Sequence, residues 1–199
     1  MVNFLNKLEV YFQKEFTEKS GRIFIFSLIF LFFITFDIPF LTLFFIFLFL
    51  TNMIGHDLRN GKFSLIISLP YSYREVFFSS YVLSLLLIVI PSSIGLAFFN
   101  FGSLYLSMAL LKILSVIILA TAYFAIIIIS VTLGGDTFGI PFLILIVDGI
   151  LGAIGSSYAV NPYKYISPSH QGNVWASLIF SVFLLLLSLY LFEKRGVQK

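Results

Sequence analysis

Asp148 is the residue whose surroundings make it most unusual, since it stands in the long apolar stretch that follows Phe138 and is flanked by Gly149, Gly152 and Gly155. An ionised carboxylate in an apolar span is expensive, so such a residue either serves a path for substrate or protons or finds hydrogen bonds within the bundle. The glycines allow the close helix approach that a hydrogen-bonded role needs. The two histidines, His56 and His170, fall on opposite sides of the expected bilayer and cannot share a metal. No Ser-His-Asp set and no pair of carboxylates gathers on one face, so no catalysis is expected from this chain. Gly61-Lys62-Phe63-Ser64 resembles a phosphate-binding loop only in outline. That loop needs Gly, four residues, then Gly-Lys followed directly by Ser or Thr after a strand, and here Phe63 intervenes. The chain is therefore expected to bind no ATP and no other cofactor itself.

The elements that position these residues follow from composition. The 199 residues are 60% hydrophobic and 11% charged, with 26 Phe and no Cys, against about 45–50% apolar and 25% charged in ordinary soluble domains. Lipid is the solvent that such a chain fits. A spanning helix takes about 20 apolar residues, and charge, Pro and Gly divide the sequence into six such stretches. They are Ile23 to Phe36, Pro39 to about Ile54, Tyr73 to Phe98 with Pro91 as an expected kink, Ile113 to Leu133, Phe138 to about Gly155, and Val174 to Phe192. Phe101 to Leu111 reads as a surface connector that leaves Lys112 at the outer interface. Residues 156–173 form an outer loop whose Tyr158, Tyr163 and Tyr165, with Trp175 just beyond it, suit an interfacial belt. The fold class is all-α and integral to the membrane, one domain over 1–199.

Orientation follows from the cations. Ten of the twelve Lys and Arg lie before the first stretch, between the second and third, or after the sixth; only Lys112 and Lys164 lie on the other side. The positive-inside rule then places both termini in the cytoplasm of a multi-pass plasma-membrane protein. No basic run with interleaved aromatics marks a nucleic-acid partner. Residues 1–20 hold an amphipathic helix, with Phe4, Leu8, Tyr11, Phe12 and Phe16 on one face and Asn6, Lys7, Gln13 and Lys14 on the other, expected in the headgroup plane.

Residues 55–75 carry the most information. Phe63, Leu65, Ile66 and Leu69 give an amphipathic turn that ends at Pro70, and Ser72-x-x-Glu75 reads as a capping box that starts the third span. Together they make a rigid elbow across the mouth of the bundle. Asp57-x-x-x-Gly61-Lys62 followed by Ser68-Leu69-Pro70-x-Ser72-x-Arg74-Glu75 resembles the loop between the second and third spans of type-2 ATP-binding-cassette (ABC) transporter permeases. The N-terminal helix, the six spans, the Asn161-Pro162-Tyr163-Lys164-Tyr165-Ile166-Ser167-Pro168 stretch and the basic tail follow in the order of that family, so the resemblance covers the full chain. It implies a coupling helix holding Asp57, Arg59, Gly61 and Lys62, and an elbow of Ser68, Leu69, Pro70, Ser72, Arg74 and Glu75. It also implies a second permease subunit, identical or not, two cytoplasmic ABC ATPase subunits that bind ATP and Mg, and short re-entrant helices in the outer loop. The family often has Glu where this chain has Asp57. Export is commoner than import in that family. The alternatives are a haem-export type of permease, a structural subunit of a membrane complex, and an intramembrane enzyme, which would need Asp148 and His170 at one depth.

Overall fold

The computed structural model describes residues 4–33, 39–55, 72–99, 106–154 and 161–195, and all regular structure among them is helical. In chain order the helices are α1 (Phe4–Phe33), α2 (Pro39–Leu50) running into a π-helical turn (Thr51–Gly55), α3 (Tyr73–Phe99), α4 (Leu106–Gly134), α5 (Gly139–Ala153), the short α6 (Pro162–Ile166) and α7 (Val174–Arg195). Three stretches are long and apolar enough to cross a membrane: Tyr73–Phe98 in α3, Ser107–Gly134 in α4 and Val174–Lys194 in α7. Leu41–Gly55 and Gly139–Ala153 are shorter apolar helices. The fold is all-helical and compatible with a multi-pass membrane protein.

Side-chain pairs fix the direction of each helix. Tyr81 meets Thr121 and Phe77 meets Phe124, so α3 and α4 are antiparallel. Lys19 bonds the Met53 carbonyl and Phe30 packs on Phe49, which makes α1 and α2 antiparallel. Gln171, just ahead of α7, bonds Ser115 of α4, while Phe192 and Phe124 both pack on Phe77, so α7 runs with α4 and against α3. α1 and α3 run the same way, joined by Lys7 with Glu75 near one end and by Leu31 against Gly95 near the other. α1, α3 and α5 therefore point one way and α2, α4 and α7 the other, the alternation that short connections require.

α4 is the centre of the bundle. Of its most apolar window 72% is buried, against 17% for that of α7. On α7 the buried positions are the small polar Ser177, Ser181 and Ser188 and, near its end, Phe192, whereas Trp175, Ile179, Phe183, Leu186 and Tyr190 stand exposed along the other side. A helix with serines inward and large apolar side chains outward is inside-out for water and right for lipid. Small residues let helix backbones close together where no hydrophobic force drives them, and large apolar groups solvate in acyl chains. Each Ser hydroxyl also finds a carbonyl, Ser181 at 2.8 Å on Ser177 and Ser188 at 2.7 Å on Leu185.

The same closeness appears at Gly95, where a Cβ would stand 2.9 Å from the carbonyl carbon of Leu31 and closer still to its oxygen. Only glycine fits that crossing. Helix α3 continues through Pro91, and the neighbouring Ser92 hydroxyl closes on the Ile88 carbonyl at 2.5 Å. The turn between α4 and α5 is set by Gly135 at φ +68°, the left-handed conformation glycine tolerates. Asp136 then accepts from the amides of Phe138, Gly139 and Ile140, each at 2.9 Å, and so starts α5.

One expectation is corrected. Residues 106–111 are no separate surface connector but the first turns of α4, because the helix runs unbroken through Lys112. The polar N-terminal helix meets the apolar half of α1 at a kink, where Lys19 has φ −124° and ψ 18°, and it packs beside the start of α3 because Lys7 and Tyr11 find Glu75 and Ser80 there.

Candidate functional site

The foot of α3 is built from its first residues outward. Ser72 and Glu75 cap each other, the Ser72 amide donating to Glu75 Oε2 at 2.8 Å and the Glu75 amide to Ser72 Oγ at 3.2 Å. This is the reciprocal capping box that the spacing predicts. Glu75 also takes both oxygens to Lys7 of α1, at 2.8 and 2.9 Å. Its neighbour Arg74 forks onto Glu193 of α7, with the second bond at 3.1 Å. Three helices are thus tied at the first turn of α3. Below that node, Glu15 and Lys19 form a buried pair at 2.5 Å, Lys14 reaches Glu15 at 3.3 Å, and Lys19 donates to the Met53 carbonyl at 2.8 Å. The π-helical turn, which offsets the regular i−4 pattern of hydrogen bonding, presents that carbonyl.

Of the residues assigned to the coupling loop, Ser72, Arg74 and Glu75 are in this node. Asp57, Arg59, Gly61, Lys62, Ser68, Leu69 and Pro70 lie outside the described residues, as does His56.

Asp148 is the second centre. It stands nine residues into α5, about 14 Å along the axis at 1.5 Å per residue, and is buried. Four donors converge on its two oxygens. Tyr163 Oη and Ser167 Oγ donate to Oδ1, each at 2.7 Å, while Tyr123 Oη donates to Oδ2 at 2.9 Å and the Ser169 amide to the same oxygen at 3.2 Å. A carboxylate has about four acceptor sites, so these four partners saturate it. Burial, reinforced by the hydrogen bond to Asp148 and its negative charge, pushes the Tyr163 hydroxyl well above its ordinary range, so it remains a donor.

Tyr123 comes from α4, and the other three of the four donors come from the segment 161–173, which packs against α4 and α5. Asn161 begins it: its Nδ2 donates to the carbonyls of Leu151 and Ile154 at 2.6 Å, ending α5, while its Oδ1 accepts from the Tyr163 amide at 3.1 Å and starts α6. Gln171, at φ +48°, closes the segment by donating to the Ser115 carbonyl of α4 at 2.9 Å. Between them Ser169 Oγ links Ser167 Oγ at 3.1 Å to His170 Nδ1 at 3.0 Å. The His170 ring lies on Gly152, where a Cβ would stand 2.7 Å from its Cγ. Asp148 and His170 therefore belong to one network, connected through two serines and with no bond between them.

No family model, curated protein or solved structure matches this chain.

Beside the network lies a cavity of about 270 Å³ to which Asp148, Tyr163 and Pro168 contribute, together with apolar side chains of α4, α5 and α7. Among the described residues no three His, Cys, Asp or Glu side chains are placed to hold a metal ion. The network holds Asp148 as an acceptor, which suits it to pinning the segment 161–173, and leaves it no lone pair to serve as a base.

Sequence reading singled out Asp148 but missed its partners. A buried carboxylate demands donors. Tyr123, the sole phenol in the Ile113 to Leu133 stretch, the Tyr163 and Ser167 hydroxyls and the Ser169 amide were the available ones. It also missed Lys7, Glu15, Lys19 and Glu193, because the pairs they enter join residues far apart in the chain or hide within a helix that reads as solvated.

Proposed function

We propose that this chain is the membrane-spanning subunit of an ATP-driven transporter of the type-2 ABC permease class, acting as an exporter by alternating access. Both termini are cytoplasmic in this reading, and six helical stretches cross the bilayer, α1 and α2 with α3, α4, α5 and α7. Residues 55–75 receive force from separate ATPase subunits that bind ATP and Mg, and a second permease subunit, identical or not, completes the path.

The observation that carries this reading is the node at the foot of α3. A loop that re-enters the bundle at a capped helix tied by Glu75 to α1 and by Arg74 to α7 moves three helices when it is pushed. Rigid caps and ion pairs suit a part that transmits displacement, since a flexible joint would absorb it. The concentration of cations at this same end supports the cytoplasmic placement.

An intramembrane enzyme gains one point from the network that joins Asp148 to His170. It loses more, because the carboxylate is saturated and Ser169 separates it from the imidazole. The haem-export variant and a structural subunit share the same fold and differ in partner.

The test is co-purification of the tagged chain in mild detergent, with vanadate-sensitive ATP hydrolysis assayed in the eluate. Wild type is expected to bring down an ATPase, and Gly61→Trp and Arg74→Glu to lose it. Absence of any ATPase from the wild-type eluate defeats the permease reading.

A further inference from the structure

The four groups that hold Asp148 are two phenols, a serine hydroxyl and a backbone amide. All are uncharged. They satisfy every acceptor site of the carboxylate and bring it no counter-charge, and the cavity beside it is walled by apolar side chains. His170, the nearest basic group of the network, is reached only through Ser169. A buried charge is stable when a counter-charge meets it.

The cavity beside Asp148 has room for one. Its walls are Ile126 and Ile129 from α4, Ile144 from α5, and Phe180 and Leu184 from α7, with the carboxylate and the Tyr163 side chain at its polar edge. Its 270 Å³ corresponds to about nine water volumes at ~30 Å³ each, hence to a molecule of about ten non-hydrogen atoms. An occupant must then be mostly hydrocarbon and positively charged. It also needs no N–H, because the oxygens of Asp148 have no acceptor site left for one.

We infer that this cavity is a binding site for a quaternary alkylammonium cation: a trimethylammonium head beside Asp148 and Tyr163, with a chain of about six carbons among the isoleucines, Phe180 and Leu184. The head is held by charge and by the Tyr163 ring, the way aromatic groups recognise cations that cannot donate hydrogen bonds. A primary amine of the same length gains nothing from its N–H groups, so the site prefers the quaternary head. This inference is independent of the transport reading, because binding is measured without ATP and without any partner subunit.

The experiment uses the full chain in nanodiscs of phosphatidylethanolamine and phosphatidylglycerol, free of choline headgroups, with radiolabelled hexyltrimethylammonium as the probe. Saturable binding above that of empty discs is expected, weakened at least tenfold in Asp148→Asn, and resisting displacement by the uncharged 2,2-dimethyloctane of the same shape. Ile129→Trp fills the cavity while keeping every donor to Asp148, and is likewise expected to abolish binding. The inference is overturned by wild type that binds no more than empty discs, by wild-type affinity in either variant, or by equal displacement with the uncharged analogue. If Asp148→Asn fails to fold, Ile129→Trp alone decides.

Discussion

Gly95→Ala adds one methyl group at the crossing of α1 and α3. The new Cβ would stand 2.9 Å from the carbonyl carbon and 3.2 Å from the Cα of Leu31, where carbon atoms normally settle at about 3.5–4.0 Å. The contact is with backbone, so no side-chain rotation relieves it and the helices must part by roughly 0.5–1 Å at the crossing. Overpacking of this kind costs about 1–3 kcal/mol, and the better helix propensity of Ala returns up to about 1 kcal/mol. The net expectation is a loss of about 1–2 kcal/mol. Gly149→Ala is the control, because nothing lies within 4 Å of its Cβ position. There only the propensity gain remains, between 0 and about 1 kcal/mol in the stabilising direction. Equilibrium unfolding in mixed SDS micelles, followed by the fluorescence of Trp175, the sole tryptophan, measures both. Gly95→Ala as stable as wild type would falsify the close parallel crossing of α1 and α3.

Lys19→Met should lower stability in the same assay by about 3 kcal/mol, at the lower end for a broken buried pair because Lys14 still reaches Glu15. Adding Glu15→Gln should recover part of that loss, and a double variant worse than the single one contradicts the pairing. Ser72→Ala removes the cap of α3 and is expected to cost about 1 kcal/mol; no change in the unfolding midpoint speaks against the capping box. Tyr123→Phe leaves Asp148 one donor short, with an expected loss of about 1–2 kcal/mol in the unfolding midpoint energy. Gly152→Ala should drive the His170 ring from its seat, read as a changed His170 side-chain resonance by NMR, and an unaltered resonance rules out the packing of His170 on Gly152.

Much of the helical framework was legible because charge, Pro and Gly punctuate an otherwise apolar chain. Pro39, Ser72, Gly135-Asp136 and Asn173 each mark a helix end that the structure places within a residue or two. Capping chemistry is local and needs only neighbours. The errors came from long-range partners. Leu106 to Leu111 looked like a connector because Lys112 seemed an obstacle, yet a lysine at the outer end of a helix costs little when its stem lies along the helix and its head reaches the interface. The N-terminal segment was legible as an amphipathic helix, but its periodicity does not reveal partners as distant in the chain as Glu75 and Ser80. Asp148 was conspicuous as a lone acid, but its donors are separated from it by 15 to 25 residues.

That separation has a consequence for how the chain is made. When Asp148 emerges from the ribosome, Tyr123 has already emerged, but Tyr163, Ser167 and Ser169 are still inside it. An Asp at the centre of a helix opposes insertion by about 2.5–3.5 kcal/mol, and at about 5–20 residues per second the missing donors follow within roughly one to four seconds. For that interval α5 is a short helix with a carboxylate held by one phenol. If α5 spans the bilayer as proposed, its passage then depends on α4 waiting beside the insertion machinery, so that the two helices enter as a pair and the returning turn locks them afterwards. A nascent chain stalled with Ala153 just clear of the ribosome should remain accessible to membrane-impermeant reagents at α5, and one stalled with Asn173 clear of it should not.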